Sequence, residues 1–112
     1  MPKPFLVGAA DQTLDVFITD STSATGGGLT GLVYNSASLA CYYRKQPAGA
    51  ATSVALATQT VGGAHADGGF VEISAANMPG LYRLDLPDAV FSTAGRVVIM
   101  LQGAANMVPT VI

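Results

Sequence analysis

The chain contains few residues that could perform acid–base or nucleophilic chemistry. Its single imidazole, His65, lies in the glycine-rich stretch 62–69. Ser74 and Ser92 could supply a hydroxyl nucleophile, but neither lies in the strand-to-helix turn that exposes a catalytic serine. Such catalysis needs a nucleophile, a base and a group that orients the base. We therefore interpret His65 as a lone surface histidine and predict that the protein is not an enzyme.

Other patterns resemble ligand motifs but lack what those motifs require. The glycines of stretch 26–31 have the G-x-G-x-x-G spacing of a dinucleotide-binding loop, yet a strand pattern follows where the motif needs a helix N-terminus. Asp11, Asp15 and Asp20 do not form the dense alternation of oxygen ligands of a calcium loop. Cys41 is the only cysteine, which excludes an internal disulfide and a cysteine-based zinc site. We predict no cofactor and no metal.

Charge is scarce in this chain. Only 12 of its 112 residues are Asp, Glu, Lys or Arg, which is 11%, against roughly 25% in an ordinary globular protein. The five cations are scattered and the net charge is -2, so a nucleic-acid groove with clustered Lys and Arg is excluded. Either small residues coat the surface or neighbouring subunits cover it. We favour the second reading and predict a homo-oligomer, with a trimer as the favoured state.

Neither a membrane span nor an export signal is predicted from the sequence. The longest run of large apolar residues is 97–101, far short of the roughly 20 residues that span a bilayer. The first ten residues carry one cation and an apolar stretch too short for a secretory signal. We expect synthesis in the cytoplasm without a signal peptide and no contact with a membrane.

Alternation of apolar and polar residues with a period of two predicts strands along most of the chain. The predicted strands are 14–19, 39–44, 52–58, 70–73, 81–86, 96–102 and 107–112, separated by glycine- and proline-containing turns. Two single-turn helices are expected at 74–78 and 87–91, because Ser74 could cap one and Pro87 could start the other. About seven short strands with turns between them indicate an all-β sandwich or a small barrel.

The segment that follows Pro79 favours a sandwich. Pro79 and Gly80 fit a type II turn, which gives Gly80 a positive φ. In immunoglobulin-like sandwiches, a tyrosine placed like Tyr82 bonds its hydroxyl to the main chain and closes a corner; a core aromatic with its hydroxyl at the rim is the alternative. Arg83 and Asp85 share one face of this strand. An exposed pair of that kind contributes a few tenths of a kcal/mol.

Tyr34, Tyr42 and Tyr43 are the only aromatic cluster in the sequence. Aromatic platforms bind sugars, so a carbohydrate-binding module for host recognition is one hypothesis. Tyrosine is equally typical of protein interfaces and cores, and the chain has no tryptophan. We therefore predict that Tyr34 and Tyr42 are protein-interface residues.

Two segments of the chain resemble a known family. Residues 77–91, which read NMPGLYRLDLPDAVF, resemble the signature of a β-domain near the N-terminus of tailed-bacteriophage virion proteins. Residues 28–32, with a Leu-Thr-Gly turn, and then 38–44 are similar to the second strand region of that domain, found in baseplate upper proteins and tail fibres. The resemblance covers nearly the whole chain. It implies an immunoglobulin-like, non-enzymatic domain.

The family resemblance also implies a function and a location. Such domains attach a tail fibre or a baseplate or accessory protein to the particle, so the expected partners are other virion proteins and the expected location is the virion. A capsid decoration or head-fibre protein is an alternative that the resemblance leaves open. The family has no catalytic residues to transfer to this chain.

The two ends of the chain carry separate expectations. Two prolines hold Phe5, Leu6 and Val7 extended, and an apolar extended segment has little core of its own to reach. We therefore expect residues 1–10 to form an arm that docks on a neighbour, and residues 11–112 to form the sandwich. The last strand pattern lacks a polar stop, so we expect the native polypeptide to continue beyond it.

Overall fold

The computed structural model describes residues 11–46, 49–92 and 96–112. In this part of the chain the strands are β1 (Thr13–Phe17), β2 (Ala40–Lys45), β3 (Thr52–Val54), β4 (Phe70–Ser74), β5 (Met78–Asp85), β6 (Val97–Gln102) and β7 (Thr110–Val111), with a short 3₁₀ helix η1 (Asp88–Phe91) between β5 and β6. No helix among these residues is long and apolar enough to cross a membrane. The predicted arm, 1–10, lies outside the described residues.

The strands form two antiparallel sheets. One has the order β1-β5-β4 and the other β3-β2-β6-β7. β5 is therefore the central strand of the first sheet, and β4 and β1 are its edges. The predicted all-β class with about seven short strands is confirmed.

Inward side chains of both sheets form one apolar core. Leu14 and Val16 of β1 alternate with exposed neighbours, as the period of two predicts. Leu84 of β5 and Ile99 and Leu101 of β6 are buried in the same cluster. Each such side chain contributes about 1.5–3 kcal/mol when fully buried. This burial holds the sheets together in a chain that has few ionic contacts.

The two expected helices have different outcomes. η1 forms where predicted, with Pro87 preceding its first residue. The helix expected at 74–78 is wrong: β4 ends at Ser74, residues 75–77 turn, and β5 begins directly after them. The Ser74 hydroxyl accepts a hydrogen bond from the Asn77 N–H at 3.1 Å. A serine side chain can support a turn as well as a helix start, and the turn is what forms here.

Gly80 has the predicted positive φ, but it lies inside β5 and not in a type II turn before the strand. Glu72 of β4 pairs with Tyr82 of β5, and Ser74 pairs with Met78. An advance of four residues along β5 therefore matches an advance of two residues along β4, which is a β-bulge in β5. Gly80 has a φ of +89°. A Cβ on it would lie 2.5 Å from the Cα of Gly28. Both the backbone angle and this close approach require glycine.

Candidate functional site

A cleft of about 360 Å³ opens beside β4. One wall is the loop 31–35, the other is formed by Thr58 and Gln59, and residues 70–72 of β4 form the base. β4 is an edge strand. Among the described residues only the segment at Ala57 bonds to its free side, at Phe70. Val33 and Tyr34 are exposed at the rim. This is the candidate functional site.

The first wall is fixed by Tyr82. This residue is fully buried and stacks on Phe70, with ring centroids 5.0 Å apart. Its hydroxyl donates to the Leu29 carbonyl at 2.7 Å and accepts from the Leu32 N–H at 3.2 Å. Burial raises the pKa of Tyr82, the Leu32 N–H opposes this, and the nearby Glu72 carboxylate adds to the rise. The hydroxyl thus bonds to the main chain, but to a loop about 50 residues earlier in sequence and not to an adjacent corner.

Glu72 is the only charged residue among the described residues that line the cleft. One carboxylate oxygen, Oε1, accepts a hydrogen bond from the Gly31 N–H at 3.1 Å. The other oxygen, Oε2, is buried and has no hydrogen-bond partner within the described residues. Nearly all buried polar atoms have a partner, so an unsatisfied carboxylate oxygen is a departure from the rule. Oε2 therefore has unused acceptor capacity, although it is covered by the surrounding residues.

The second wall is held by a polar network that is only partly buried. The Gln59 side-chain amide donates to the Ala64 carbonyl at 2.8 Å and to Asp85 Oδ2 at 2.7 Å. Its carbonyl oxygen accepts from the Thr60 N–H at 2.8 Å. Both ends of the Gln59 amide are therefore committed to the protein. The side chain lines the cleft in a fixed position.

Arg83 and Asp85 are buried, which corrects the expectation of an exposed pair. Asp85 is 0% exposed and Arg83 is 8% exposed. The guanidinium contacts both carboxylate oxygens, with Nε 2.9 Å from Oδ1 and Nη2 3.2 Å from Oδ2. Nη1 donates to the carbonyls of Thr60 and Val61. The loop 55–69 therefore covers the outer face of β5 at Arg83 and Asp85, and residues 82–85 of the strand are buried on both sides.

The Asp85 carboxylate is fully satisfied. Besides Arg83, it accepts hydrogen bonds from the Thr13 hydroxyl at 2.9 Å, the Ala66 N–H at 3.1 Å and the Gln59 amide. Burial pushes the pKa of Asp85 upward, but the bonds from Arg83, Ala66, Gln59 and Thr13 outweigh burial and hold it at about 2. A carboxylate this strongly held as an anion is poorly suited to proton transfer near neutral pH. Its role is to fasten the loop.

His65 is not a lone surface residue, so that interpretation is wrong. Its side chain is only 10% exposed. Nε2 lies 2.9 Å from the Leu86 carbonyl oxygen, so it donates there, since a carbonyl only accepts. Nδ1 lies 3.4 Å from Asp11 Oδ1 and 4.0 Å from Asp67 Oδ1. His65 thus joins the covering loop to the end of β5.

The structure does not bring the three tyrosines together on one face. Tyr34 is 39% exposed at the cleft, and Tyr42 is 42% exposed on the outward face of β2. Tyr43 is the next residue on β2 and packs against the core. Adjacent strand residues point to opposite faces, so a platform of all three does not form. The other candidate interface residues, Phe5, Leu6 and Val7, lie outside the described residues.

Other chemistry has little support in the described part of the chain. No group of three or more His, Cys, Asp or Glu residues there could hold a metal ion. Burial raises the pKa of Cys41 to about 12. A thiol with that pKa is not a nucleophile at neutral pH.

Sequence reasoning missed Glu72 and Gln59. A signal for Glu72 was present, because a strand with a period of two places it on the same face as Phe70, which is buried. An acidic residue on an inward face needs either a partner or an opening. Gln59 left no such signal, since its role depends on a contact with Asp85 that is 26 residues away.

Comparison of this chain with protein-family models, with curated proteins and with solved structures found no match.

Proposed function

We propose that this chain is a non-enzymatic structural subunit of a tailed-phage virion. In this proposal it is an immunoglobulin-like attachment domain that anchors a tail fibre or a baseplate or accessory protein to the particle. It acts among other virion proteins and as a homo-oligomer, with a trimer favoured. The proposal begins from the sequence resemblance of 77–91, 28–32 and 38–44, and three structural observations support it.

The first support is the surface, and it is the observation that carries the proposal. Among the described residues, large apolar side chains exposed by more than a third are Phe17, Val33, Tyr34, Tyr42, Val61, Met78, Val108 and Val111. They occur in a chain with only 12 charged residues. Exposed apolar groups with few charges between them are typical of surfaces that other subunits cover.

The second support is the strand order. In immunoglobulin-like sandwiches one sheet contains strands B, E and D as neighbours, and the other contains C′, C, F and G. The orders β1-β5-β4 and β3-β2-β6-β7 correspond to these two sets. One departure is Tyr82, since it lies on the strand that corresponds to E, whereas the corner tyrosine of immunoglobulin domains lies on F.

The third support is that the two segments behind the family resemblance contact each other. A Cβ added to Gly28 would lie only 2.6 Å from the Cα of Gly80, so the backbones of the two residues are in contact. Tyr82 bonds to the carbonyl of Leu29 and the N–H of Leu32, on either side of the Leu-Thr-Gly turn. Residues separated by about 50 positions form one packed unit. Their contact gives a structural reason for both motifs to occur in the same domain.

Antibody labelling of intact particles tests the proposal directly. Particles purified on a density gradient from cells that produce this chain are expected to contain it at a fixed copy number, measured by mass spectrometry. An antibody against the chain is expected to label the tail or baseplate in electron micrographs. Labelling of the head would favour the alternative of a capsid decoration or head-fibre protein. Absence of the chain from washed particles would overturn the proposal.

Light scattering tests the oligomeric state of the purified full chain. A mass three times 11.3 kDa is the expected result. A monomer that persists at high concentration would contradict a surface covered by copies of the same chain.

A carbohydrate-binding module was the other hypothesis from sequence, and it required a shared tyrosine platform. Tyr42 and Tyr43 face opposite sides of β2, so that platform is missing. The cleft beside Glu72 is the remaining place where a sugar could bind, and the experiment below includes sugars for that reason.

A further inference from the structure

We infer that the cleft beside Glu72 binds a lysine side chain presented by a partner protein. The choice of a protein as the source rests on the proposed attachment function. The choice of a primary ammonium group on an aliphatic stem rests on the cleft alone. The site has three relevant features: an unsatisfied carboxylate oxygen, one oxygen that already accepts a hydrogen bond, and aliphatic residues in the first wall and the base.

The unsatisfied oxygen selects a hydrogen-bond donor. Glu72 Oε2 is buried and receives no hydrogen bond from the described residues, and no cationic side chain among them lines the cleft. A charge-assisted hydrogen bond to a carboxylate is roughly twice as strong as a neutral one. A cationic donor therefore gains more here than a sugar hydroxyl. Because Oε2 is buried, the Glu72 side chain must turn before a donor in the cleft can reach this oxygen, and the terminal torsion of a glutamate is soft enough to allow it.

The hydrogen bond that Glu72 Oε1 already accepts favours lysine over arginine as the ligand. A guanidinium binds a carboxylate best through two parallel hydrogen bonds, one to each oxygen. Glu72 Oε1 already accepts the Gly31 N–H at 3.1 Å. Oε2 accepts no bond from the described residues and so has the most unused acceptor capacity, and the single compact charge of an ammonium group can use it without displacing the Gly31 N–H.

The first wall and the base of the cleft suit the aliphatic stem of a lysine. Leu32, Val33 and Val71 line the cleft and are aliphatic. A four-carbon chain can lie along such residues while its head reaches the carboxylate. Tyr34 at the rim adds an aromatic ring, and an ammonium group over a ring face is attracted by the ring quadrupole.

The position of the cleft favours a protein as the source. It lies against β4, an edge strand whose free side has no strand partner in the described residues. At the start of β4, the Phe70 N–H donates to the Ala57 carbonyl at 3.0 Å. After Phe70, the main-chain groups on the free edge of β4 make no hydrogen bond to another described main-chain group. An extended segment can add to such an edge and place alternate side chains into adjacent pockets. A lysine on that segment would enter the cleft.

The test of ammonium recognition is an NMR titration of the full chain labelled with ¹⁵N. The probe is Nα-acetyl-lysine methylamide. The expected result is a set of saturable shifts in the amides of 31–35, Gln59 and Glu72. Glu72→Gln is expected to weaken this binding tenfold or more, because it removes the charge and keeps an oxygen for the Gly31 N–H. Asp15→Asn removes an exposed charge on β1 and is expected to leave the affinity unchanged.

Matched probes identify which chemical group of the ligand the cleft recognises. The norleucine analogue has the same aliphatic stem without the ammonium group, and equal binding by it would overturn the inference. Tighter binding of the arginine analogue or of methyl glycosides would also overturn it. Ammonium recognition is equally contradicted if no probe shifts the cleft amides, or if Glu72→Gln binds the lysine analogue as tightly as the parent.

Zero-length carbodiimide cross-linking of purified particles tests the source. A Glu72 cross-link to a lysine of another virion protein is the expected product. Linkage only to further copies of this chain, or to nothing, would overturn a partner protein as the source. If the chain is absent from particles, the proposed function fails, while the titration of the purified chain still decides whether the cleft recognises an ammonium group.

Discussion

Two acidic residues on neighbouring strands have opposite surroundings. Asp85, on the central strand, is covered by the loop 55–69 and accepts five hydrogen bonds from Arg83, Gln59, Ala66 and Thr13. Glu72, on the edge strand, accepts one bond and leaves Oε2 unsatisfied among the described residues. The fold satisfies both oxygens of the Asp85 carboxylate. The Glu72 carboxylate keeps one oxygen that no described residue satisfies.

The difference between the two sites teaches how to separate structure from function in a chain with few charges. A buried ion pair is costly to desolvate and persists when its lone pairs and protons are all satisfied. Asp85 meets that condition, so its burial needs no ligand to explain it. Glu72 does not meet it, although it lies only one strand away. The unsatisfied site is therefore the better candidate for recognition.

The largest expected effect is that of Asp85→Ala. Removing this carboxylate leaves the Arg83 guanidinium buried without its partner and releases Gln59 and the Ala66 N–H from the loop. We expect a loss of about 3–5 kcal/mol in the free energy of unfolding, measured by urea denaturation. Asp67→Ala removes an exposed aspartate of the same loop and should change stability by about 0.5 kcal/mol or less. A loss below about 1 kcal/mol for Asp85→Ala would contradict the view that this network fastens the loop.

Gly80→Ala is the next largest effect and tests how the first wall of the cleft is held. Its Cβ would lie 2.5 Å from the Gly28 Cα, and its φ of +89° is unfavourable for alanine. We expect a loss of about 3 kcal/mol from strain and overpacking together, measured by thermal unfolding. Gly26 has a φ of +76° with nothing within 4 Å. Gly26→Ala should therefore cost only about 1–2 kcal/mol, from the backbone angle alone.

Equal losses for the two glycine variants would mean that the contact between Gly28 and Gly80 contributes nothing. The loop 28–32 would then be positioned by Tyr82 without help from the backbone contact.

Acid is expected to weaken the Asp85 site. The folded pKa of about 2 lies below the ordinary value of 3.8, so the unfolded chain binds more protons than the native one between these values. The contribution of Asp85 is therefore fully present above pH 4 and is lost as the pH falls toward 2. We expect this loss to be about 2 kcal/mol. Hydrogen bonds from Thr22 also lower the pKa of Asp20, so the measurement needs a variant that isolates Asp85.

The isolating variant is Asp85→Asn, which keeps the shape and does not titrate. Urea denaturation of both proteins from pH 5 to pH 2 should show their stability difference shrinking as the pH falls. A difference that stays constant over this range would mean that the Asp85 pKa is not depressed.

Local patterns in the sequence predicted the strands well and the site poorly. Alternation in β1 correctly places Leu14 and Val16 inside, because each strand reports its own burial through its period of two. The same alternation could not reveal that Arg83 and Asp85 are buried, since the residues that cover them come from a loop about 20 positions earlier. Ser74 was misread for a related reason, because its hydroxyl serves a turn and a helix start equally well.

The smallest expected effect on stability is that of Glu72→Gln, and it completes the comparison with Asp85. Glutamine keeps an oxygen that can accept the Gly31 N–H, and no cation in the described lining of the cleft loses a partner. We expect the free energy of unfolding to change by less than about 0.5 kcal/mol, measured by urea denaturation at pH 7. A recognition residue differs from a structural one in that its charge adds little to the stability of the fold and yet controls binding, here of a lysine analogue. A loss in the free energy of unfolding as large as that of Asp85→Ala would instead mean that Glu72 has a structural role. The two carboxylates would then not differ in function.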